Sequence, residues 1–257
     1  MAPEFVLETH GLTKEFRGFT AVDSVDLRVQ KGHIHALIGP NGAGKTTVFN
    51  LLTKFLKPTR GEIIYRGKAI TSMKANEIAR LGLVRSFQIS AVFGHMTVLE
   101  NVRVALQQKL GNSYHFWKSE NTLRDLDERA MQLLTEVDLQ SFAHILAVEL
   151  PYGRKRALEL ATTLALDPVV LLLDEPTQGM GGEDVDMVVA LVRRAAVNRT
   201  VLMVEHNLSV VSRLCDRITV LARGSVLAEG DYETVSANPE VREAYMGSEA
   251  DAEEVHA

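Results

Sequence analysis

A glycine-rich segment followed by a lysine and two hydroxyl side chains is the clearest candidate for chemistry in this sequence. Gly39, Gly44, Lys45 and Thr46 have the Gly-x-x-x-x-Gly-Lys-Thr spacing of a phosphate-binding loop. Such a loop points backbone N–H groups at phosphate oxygens, and the helix after it adds its positive N-terminal end. We expect Lys45 to reach β- and γ-phosphates, Thr46 to ligate Mg²⁺ and Thr47 to support the α-phosphate. The alternative is a chance glycine-rich turn, which the flanking strand and helix patterns disfavour. The predicted loop consists of Gly39, Pro40, Asn41, Gly42, Ala43, Gly44, Lys45, Thr46 and Thr47.

Two adjacent carboxylates follow a continuous apolar run at residues 169–173. Asp174 is placed to bind Mg²⁺ through its water shell, as metal-holding carboxylates do at the end of a strand beside a phosphate loop. Glu175 is placed to polarise an attacking water as a general base. The tandem pair indicates hydrolysis rather than binding alone. The alternative is that Asp-Glu-Pro forms a plain polar turn.

Two further polar side chains come after apolar runs. His206 follows the run at 200–204, and Gln88 follows the run at 83–87. Ligands of open parallel sheets bind beyond the carboxyl ends of the strands, so we expect both side chains in the crevice that holds Lys45 and Glu175. His206 is then a candidate for contact with the γ-phosphate, with a structural role as the alternative.

The hydrophobic pattern indicates the elements that must position these residues. Strand-like runs alternate with helical stretches, which predicts an α/β fold with a mainly parallel sheet covered on both faces. Helical periodicity dominates the segment from about 89 to 160. The predicted strands include 33–38, 169–173 and 200–204, the predicted helices include 46–57, 183–196 and 209–215, and a hairpin is predicted at 61–70.

Composition excludes several classes of protein. The chain has 257 residues and a net charge of −5, which argues against nucleic acid as a main partner. Its one cysteine, Cys215, excludes an internal disulfide. No signal-peptide pattern is present, and the longest apolar run is far shorter than the ~20 residues of a membrane span. We therefore expect a cytosolic protein, or one held at a membrane by something else. The acidic tail at 248–257 is predicted to be disordered.

The motifs occur in an order that resembles a known family. The phosphate loop, Gln88, Leu-Pro-Tyr-Gly-Arg at 150–154, Leu-Leu-Leu-Asp-Glu-Pro at 171–176 and His206 follow one another as in ATP-binding cassette (ABC) transporter ATPases. The resemblance runs from about residue 5 to 247. Arg-Ser-Phe-Gln at 85–88 and the segments 95–101, 150–153 and 238–247 are similar to one ATPase subunit of branched-chain amino acid importers.

This resemblance implies a domain organisation. A P-loop NTPase core of the ABC ATPase type, with a mainly parallel sheet and an antiparallel β subdomain, is expected at 1–88 and 161–247. An inserted α-helical subdomain carrying the signature segment is expected at 89–160.

The resemblance also implies site roles. Phe16 matches the aromatic residue that stacks on adenine, and its alternative is a core aromatic. Gln88 matches the glutamine that senses Mg²⁺ and the γ-phosphate. Pro151, Tyr152 and Gly153 match the signature segment, a helix N-terminus that caps ATP bound to the opposite subunit.

Three positions depart from the usual pattern of the family. Pro151 replaces a serine, although Pro-Tyr-Gly is familiar in the importer subfamily. Arg154 stands where glutamine is common, and Gly181 occupies the place of an aspartate or asparagine that crosses the dimer interface. The last two departures put communication between sites and the hydrolysis rate in doubt.

By the same resemblance, the chain is expected to bind ATP and Mg²⁺ and to drive uptake of branched-chain amino acids from the cytoplasmic face of the inner membrane. The implied partners are integral membrane permease subunits, a second ATPase subunit (a copy or a sibling) and, indirectly, an extracytoplasmic solute-binding protein. The helical lobe is expected to meet the permease, with Phe93, His95, Met96 and the aromatic cluster at 115–117 as candidates, or as locally packed residues.

Other functions stay open at this point. Importers for urea, amides or aromatic acids fit the motifs almost as well. A soluble ABC ATPase acting on ribosomes or DNA fits less well, because such proteins usually have two cassettes or a long coiled-coil insertion. A non-hydrolysing binding subunit depends on the role of Glu175.

Overall fold

The chain folds into an α/β structure with two sheets, as seen in a computed structural model that describes residues 4–86, 92–109 and 120–245. The strands are β1 Phe5–Phe16, β2 Phe19–Val25, β3 Arg28–Gln30, β4 Ile34–Ile38, β5 Arg60–Tyr65, β6 Lys68–Ala69, β7 Leu83–Arg85, β8 Val170–Asp174, β9 Thr200–Val204, β10 Arg217–Ala222 and β11 Ser225–Gly230. The helices are α1 Lys45–Leu52, α2 Ala75–Arg80, α3 Val98–Lys109, α4 Glu120–Glu136, α5 Tyr152–Leu164, α6 Gly182–Ala195, α7 Leu208–Leu214 and α8 Tyr232–Ala237, with 3-10 turns at Gln140–Phe142 and Ala147–Glu149.

The larger sheet has six strands in the order β11-β10-β4-β9-β8-β7. All its neighbouring pairs are parallel except β10 with β11, which is antiparallel. Every residue of β4, β8 and β9 is buried. Continuous burial explains why these strands read as unbroken apolar runs, and it confirms the predicted mainly parallel sheet with both faces covered.

Alternate residues of these strands enter two separate hydrophobic cores. Ala36 and Leu171 belong to a core that includes buried residues of α3, α4, α5 and α6, whereas Leu37 and Leu172 belong to a core shared with α1 and the smaller sheet. The strand period of two divides the apolar side chains in this way. The sheet therefore lies between two packed layers, one on each of its faces.

The smaller sheet is antiparallel and has five strands around β1, which pairs with β2, β3 and β5. Strands β5 and β6 form the predicted hairpin. Its turn residues Arg66 and Gly67 have φ of 51° and 73°. These left-handed angles are those that a tight hairpin turn demands.

Three helices, α3, α4 and α5, pack together beside the parallel sheet. A reciprocal cap starts α3, because Thr97 Oγ1 accepts a hydrogen bond from Glu100 N (3.2 Å) and Glu100 Oε2 accepts one from Thr97 N (2.7 Å). The predicted division after residue 160 falls within α5, and the division after residue 88 lies outside the described residues. The division into lobes stays a prediction.

Helix α1 is shorter than predicted. The sequence pattern extends it to Lys57 with Phe55 on the packed face, but it ends at Leu52, and Phe55 is 60% exposed. Lys54 takes a left-handed φ of 64°, which ends the helical path. Phe55 therefore lies on the surface.

Some predicted features lie outside the described residues: Gln88, the aromatic cluster at 115–117 and the acidic tail at 248–257. Within the described ranges, no helix combines the length and the apolar character needed to cross a membrane.

Candidate active site

The phosphate loop connects β4 to α1, and two of its glycines are fixed by close contacts. A Cβ added at Gly39 would lie 2.1 Å from the Leu221 carbonyl oxygen, and one at Gly44 would lie 2.6 Å from the Ala21 carbonyl oxygen. Both have positive φ, 147° and 100°. Only glycine fits these two positions, and the loop is held against β10 and β2 as a result.

Lys45 begins α1, and its ammonium group is enclosed by the loop. Nζ donates to the carbonyl oxygens of Gly39 (2.6 Å) and Pro40 (2.9 Å). Burial lowers the pKa of Lys45, and the nearby Glu175 carboxylate opposes that shift. The Thr46 side chain is exposed and Thr47 is half-buried at the same helix start. A cation, a helix N-terminus and two threonines thus converge where phosphate oxygens would bind.

Asp174, the last residue of β8, is almost fully buried and paired with a cation. Its carboxylate forms an ion pair with Arg85 of β7, with side-chain exposures of 2% for Asp174 and 12% for Arg85. Arg85 Nη1 also donates to Asn50 Oδ1 of α1 at 2.7 Å. The strand end, the neighbouring strand and the loop helix are thereby joined at one point.

Glu175 and His206 are in direct contact. Glu175 Oε1 meets His206 Nε2, and the side chains are 12% and 43% exposed. Strand order explains the meeting, because β8 and β9 are parallel neighbours and both residues follow their carboxyl ends. The Glu175 backbone N–H donates to Val204 O at 2.9 Å, and its φ of 48° is left-handed. The structure therefore brings Lys45, Glu175 and His206 to the same sheet edge.

Glu205 is a site residue to which sequence reasoning assigned no role. It is 2% exposed and accepts four hydrogen bonds. Its Oε1 accepts from Thr177 N (3.0 Å) and Thr177 Oγ1 (2.6 Å), and its Oε2 accepts from His206 N (3.0 Å) and Asn207 N (3.2 Å). This carboxylate ties the loop after β8 to the loop after β9, and so positions both Glu175 and His206. In the sequence, Arg85 stood out only as part of the Arg-Ser-Phe-Gln motif. No local pattern predicts the contacts of Arg85 or those of Glu205.

The signature segment forms a helix start, as the sequence predicts. Helix α5 begins at Tyr152 after Pro151, whose φ is −56°. Tyr152 is 52% exposed. A Cβ at Gly153 would lie 2.3 Å from Met187 Cε, so α5 and α6 approach closely here, and a larger side chain would displace the flexible end of Met187. The exposed N-terminus of this 13-residue helix can accept an anion from outside the chain.

Phe16 lies at the end of β1 and is 41% exposed. Lys14 Nζ is 5.0 Å from the ring centroid. A core role does not fit this exposure, whereas an exposed aromatic side chain suits stacking on a planar base.

The donor set fits Mg²⁺ held jointly with phosphates. Among the described residues, no three His, Cys, Asp or Glu side chains cluster as a metal cage. The available donors are the Thr46 hydroxyl and the Asp174 carboxylate, both hard oxygens. Mg²⁺ typically binds one or two such groups and completes its octahedron with water and substrate phosphates.

Comparison with known sequences agrees with this geometry. The sequence model of the ABC transporter family matches residues 22–178, more than half of the chain. The chain belongs to the ABC transporter family. A second model, described as a branched-chain amino acid ATP-binding cassette transporter, matches residues 225–251.

Curated relatives of this ABC protein match over nearly the full length. A high-affinity branched-chain amino acid transport ATP-binding protein, BraF of Pseudomonas aeruginosa, is 40% identical over 94% of this chain and 98% of its own. The corresponding protein LivG of Escherichia coli is also 40% identical, with the same coverage. A probable LivG of Archaeoglobus fulgidus is 36% identical over 95% of this chain and 96% of its own.

Solved ABC cassettes have the same fold. A cassette of an ABC transporter in its ADP conformation superposes with a TM-score of 0.83 at 29% identity, covering 95% of this chain and 99% of that one. A nucleotide-free cassette gives 0.81 at 30% identity, covering 94% and 99%. The family and the fold identify this ABC protein as a nucleotide-binding ATPase.

Proposed function

We propose that this chain is the ATP-hydrolysing subunit of an importer for branched-chain amino acids. Support for the substrate class comes from the two relatives at 40% identity and from the match of residues 225–251 to the branched-chain amino acid cassette model. The observation that carries the ATPase role is the contact of Glu175 with His206 beside the enclosed ammonium of Lys45.

Each side chain has a role in hydrolysis that follows from its position. Lys45 and the loop N–H groups bind the β- and γ-phosphates and balance their charge. Glu175 accepts the proton of the attacking water, since its carboxylate lies beside the phosphate loop and is held on its backbone side by Val204. His206, in contact with that carboxylate, orients it and can donate to the γ-phosphate. Phe16 stacks on the adenine.

Mg²⁺ would be held by Thr46 and, through water, by Asp174, with Gln88 as a further ligand from outside the described residues. When bound, the ion neutralises charge on the β- and γ-phosphates. Thr46 is exposed on α1 and Asp174 ends β8, so the two oxygen donors approach from different elements.

A second ATPase chain completes the site. The start of α5 offers backbone N–H groups to phosphate from the opposite subunit, and Tyr152 and Gly153 are the contact residues in this proposal. Pro151 contributes no N–H, so the first free donors come from the residues after it. Arg154 is engaged within its own lobe, because its guanidinium lies 4.1 Å from the Phe142 ring centroid and donates to Asp138 O at 3.3 Å. Arg154 therefore supports the α5 start rather than contacting nucleotide.

The partner in the membrane is an integral permease, which places this chain at the cytoplasmic face of the inner membrane. Phe93, His95 and Met96 are exposed, and Phe93 lines a cavity of about 430 Å³ together with Phe55. Exposed aromatic groups around a concave surface are typical of a protein interaction site. The extracytoplasmic solute-binding protein acts on this chain only through the permease.

The ATPase proposal is tested with Glu175→Gln in the full chain. The amide cannot accept the proton of water, so we expect ATP binding to persist while Mg²⁺-dependent phosphate release falls at least ~10²-fold. Static light scattering should show the variant as a dimer when ATP is present. Lys45→Ala should lose ATP binding itself, because the main phosphate countercharge is removed. Glu229→Gln, on the β10–β11 hairpin, is a matched carboxylate control and should behave as wild type. Phosphate release by Glu175→Gln at the wild-type rate would contradict the proposed base.

The transport role is tested by co-purification from the native membrane. Recovery with integral membrane subunits, and loss of leucine, isoleucine and valine uptake when the chain is deleted, is the expected result. Recovery with ribosomes or DNA instead would favour a soluble ABC ATPase. Uptake defects for urea, amides or aromatic acids would reassign the substrate.

A further inference from the structure

Arg85 occupies a position between three parts of the nucleotide site. It is the last residue of β7, its side chain is 12% exposed, and its guanidinium forms an ion pair with Asp174. Nη1 donates to Asn50 Oδ1 of α1 at 2.7 Å. The aromatic rings of Phe49 and Phe55 lie 5.8 Å and 5.9 Å from the guanidinium carbon.

The geometry of this contact suits orientation of a carboxylate. The guanidinium of Arg85 is planar and rigid. Because Asn50 holds one of its terminal nitrogens, the direction in which the other terminal nitrogen points toward Asp174 is fixed as well. Arg85 Nε has no hydrogen-bond partner among the described residues, so the two terminal nitrogens provide the polar contacts that hold the group. A carboxylate that is 2% exposed needs a compensating cation, and Arg85 supplies it.

We propose that Arg85 is a positioning residue for Asp174, which it holds in a fixed orientation while competing with Mg²⁺ for the carboxylate charge. This inference rests on the proposed function, in which Asp174 faces the metal. Arg85 does not touch the reacting atoms. It acts through Asp174, and it therefore sets how tightly the site takes the ion.

Competition and orientation have separate effects on the reaction. Removing the charge of Arg85 removes repulsion between a unit cation and a doubly charged ion. We expect relief of that repulsion to raise the affinity for Mg²⁺ by about tenfold. Removing the planar guanidinium leaves Asp174 less firmly oriented. Loss of a supporting contact around a metal ligand costs about tenfold or more in turnover.

The test compares Arg85→Gln, Arg85→Lys and the wild type in the full chain. Equilibrium ATP binding is measured in EDTA and across a Mg²⁺ titration, and phosphate release is measured over the same titration. For Arg85→Gln we expect ATP affinity in EDTA within about twofold of wild type, a half-saturating Mg²⁺ concentration lowered about tenfold, and turnover at saturating Mg²⁺ lowered about tenfold. Arg85→Lys keeps the positive charge but lacks the planar guanidinium. Its Mg²⁺ requirement should therefore stay near wild type while its turnover falls.

Arg199→Gln is the matched control. Arg199 is 13% exposed and lies 3.7 Å from Glu136. It precedes β9, so it sits at the opposite end of the sheet from Glu205 and His206. Its Mg²⁺ dependence should be unchanged, which separates a metal effect from a general loss of stability.

The outcomes distinguish this inference from the proposed function. Wild-type Mg²⁺ dependence in Arg85→Gln, or a raised Mg²⁺ requirement, would overturn the role of Arg85. If Arg85→Gln does not fold, Arg85→Lys decides alone: unchanged turnover overturns the inference, and lowered turnover with an unchanged Mg²⁺ requirement supports it. A wild-type chain that binds no ATP would instead refute the proposed function.

Discussion

Replacement of Glu205 should loosen the catalytic loops. Its two carboxylate oxygens accept two hydrogen bonds each, from Thr177 on one side and from the backbone of His206 and Asn207 on the other. Glu205 is 2% exposed, so water has little access to its carboxylate. The donors hold the carboxylate charge in place, and the carboxylate in turn holds the two loops together.

The magnitude follows from the number of bonds lost. In Glu205→Gln the amide keeps one acceptor oxygen and turns its NH₂ toward N–H donors, so two charge-assisted bonds are lost. At about 1.5 kcal/mol each, this lowers the free energy of unfolding by about 3 kcal/mol. Glu205→Ala removes the acceptor of all four donors, two of them in buried bonds, and should cost about 4–5 kcal/mol. For a chain of this size a 3 kcal/mol loss lowers Tm by about 6–12 °C.

Thermal and guanidinium unfolding, followed by circular dichroism, measure these losses, and phosphate release measures the function. Turnover should fall with stability, because Glu175 and His206 lose their support. Asp26→Asn is a control, since that exposed carboxylate accepts one bond from Gly11 N at 2.6 Å and its loss should cost below ~1 kcal/mol. A Glu205→Ala chain that unfolds at the wild-type temperature would refute the reasoning.

Two further predictions concern titratable groups, the buried His35 and the half-buried Cys215. Burial lowers the pKa of His35 to about 3, and its Nε2 lies 2.8 Å from Thr219 Oγ1. Below pH 6.5 the His35 imidazole takes up a proton in the unfolded chain but not in the folded chain. The free energy of unfolding therefore falls as the pH is lowered from 6.5 to 3, by about 2 kcal/mol at pH 5. His35→Gln should flatten that part of a pH series of guanidinium unfolding curves, and an unchanged slope would contradict the assignment. Burial, with Asp216 and Glu205 nearby, raises the pKa of the Cys215 thiol to about 12. Iodoacetamide at pH 8 should therefore alkylate the folded chain about a thousandfold more slowly than the unfolded chain in guanidinium, and equal rates would show that the thiol is not held neutral.

Local pattern was sufficient where one physical cause dominates. Strands β4, β8 and β9 were predictable because burial on both faces leaves only apolar side chains. The meeting of Glu175 and His206 followed from parallel neighbouring strands that end at one edge.

Long-range contacts were not predictable from pattern. Arg85 and Asp174 are 89 positions apart, and Thr177 and Glu205 are 28 apart. Nothing in the local sequence distinguishes Arg85 and Glu205 from surface charges. The early end of α1 depends on the left-handed conformation of Lys54, and a helix propensity scale does not register such a turn.

The core on one face of the parallel sheet has a consequence for movement. Leu133 of α4 and Leu158 of α5 belong to the same apolar cluster as Ala36 and Leu171 of the sheet. The packing of the helices on one another is therefore continuous with their packing on the sheet, and removing them would expose the apolar side chains on this face of the sheet. Any change in their orientation must slide packed side chains over one another in small steps, because a wide hinge opening would expose the shared core to water. Domain engineering of this cassette should graft the helices together with the sheet strands on which they rest.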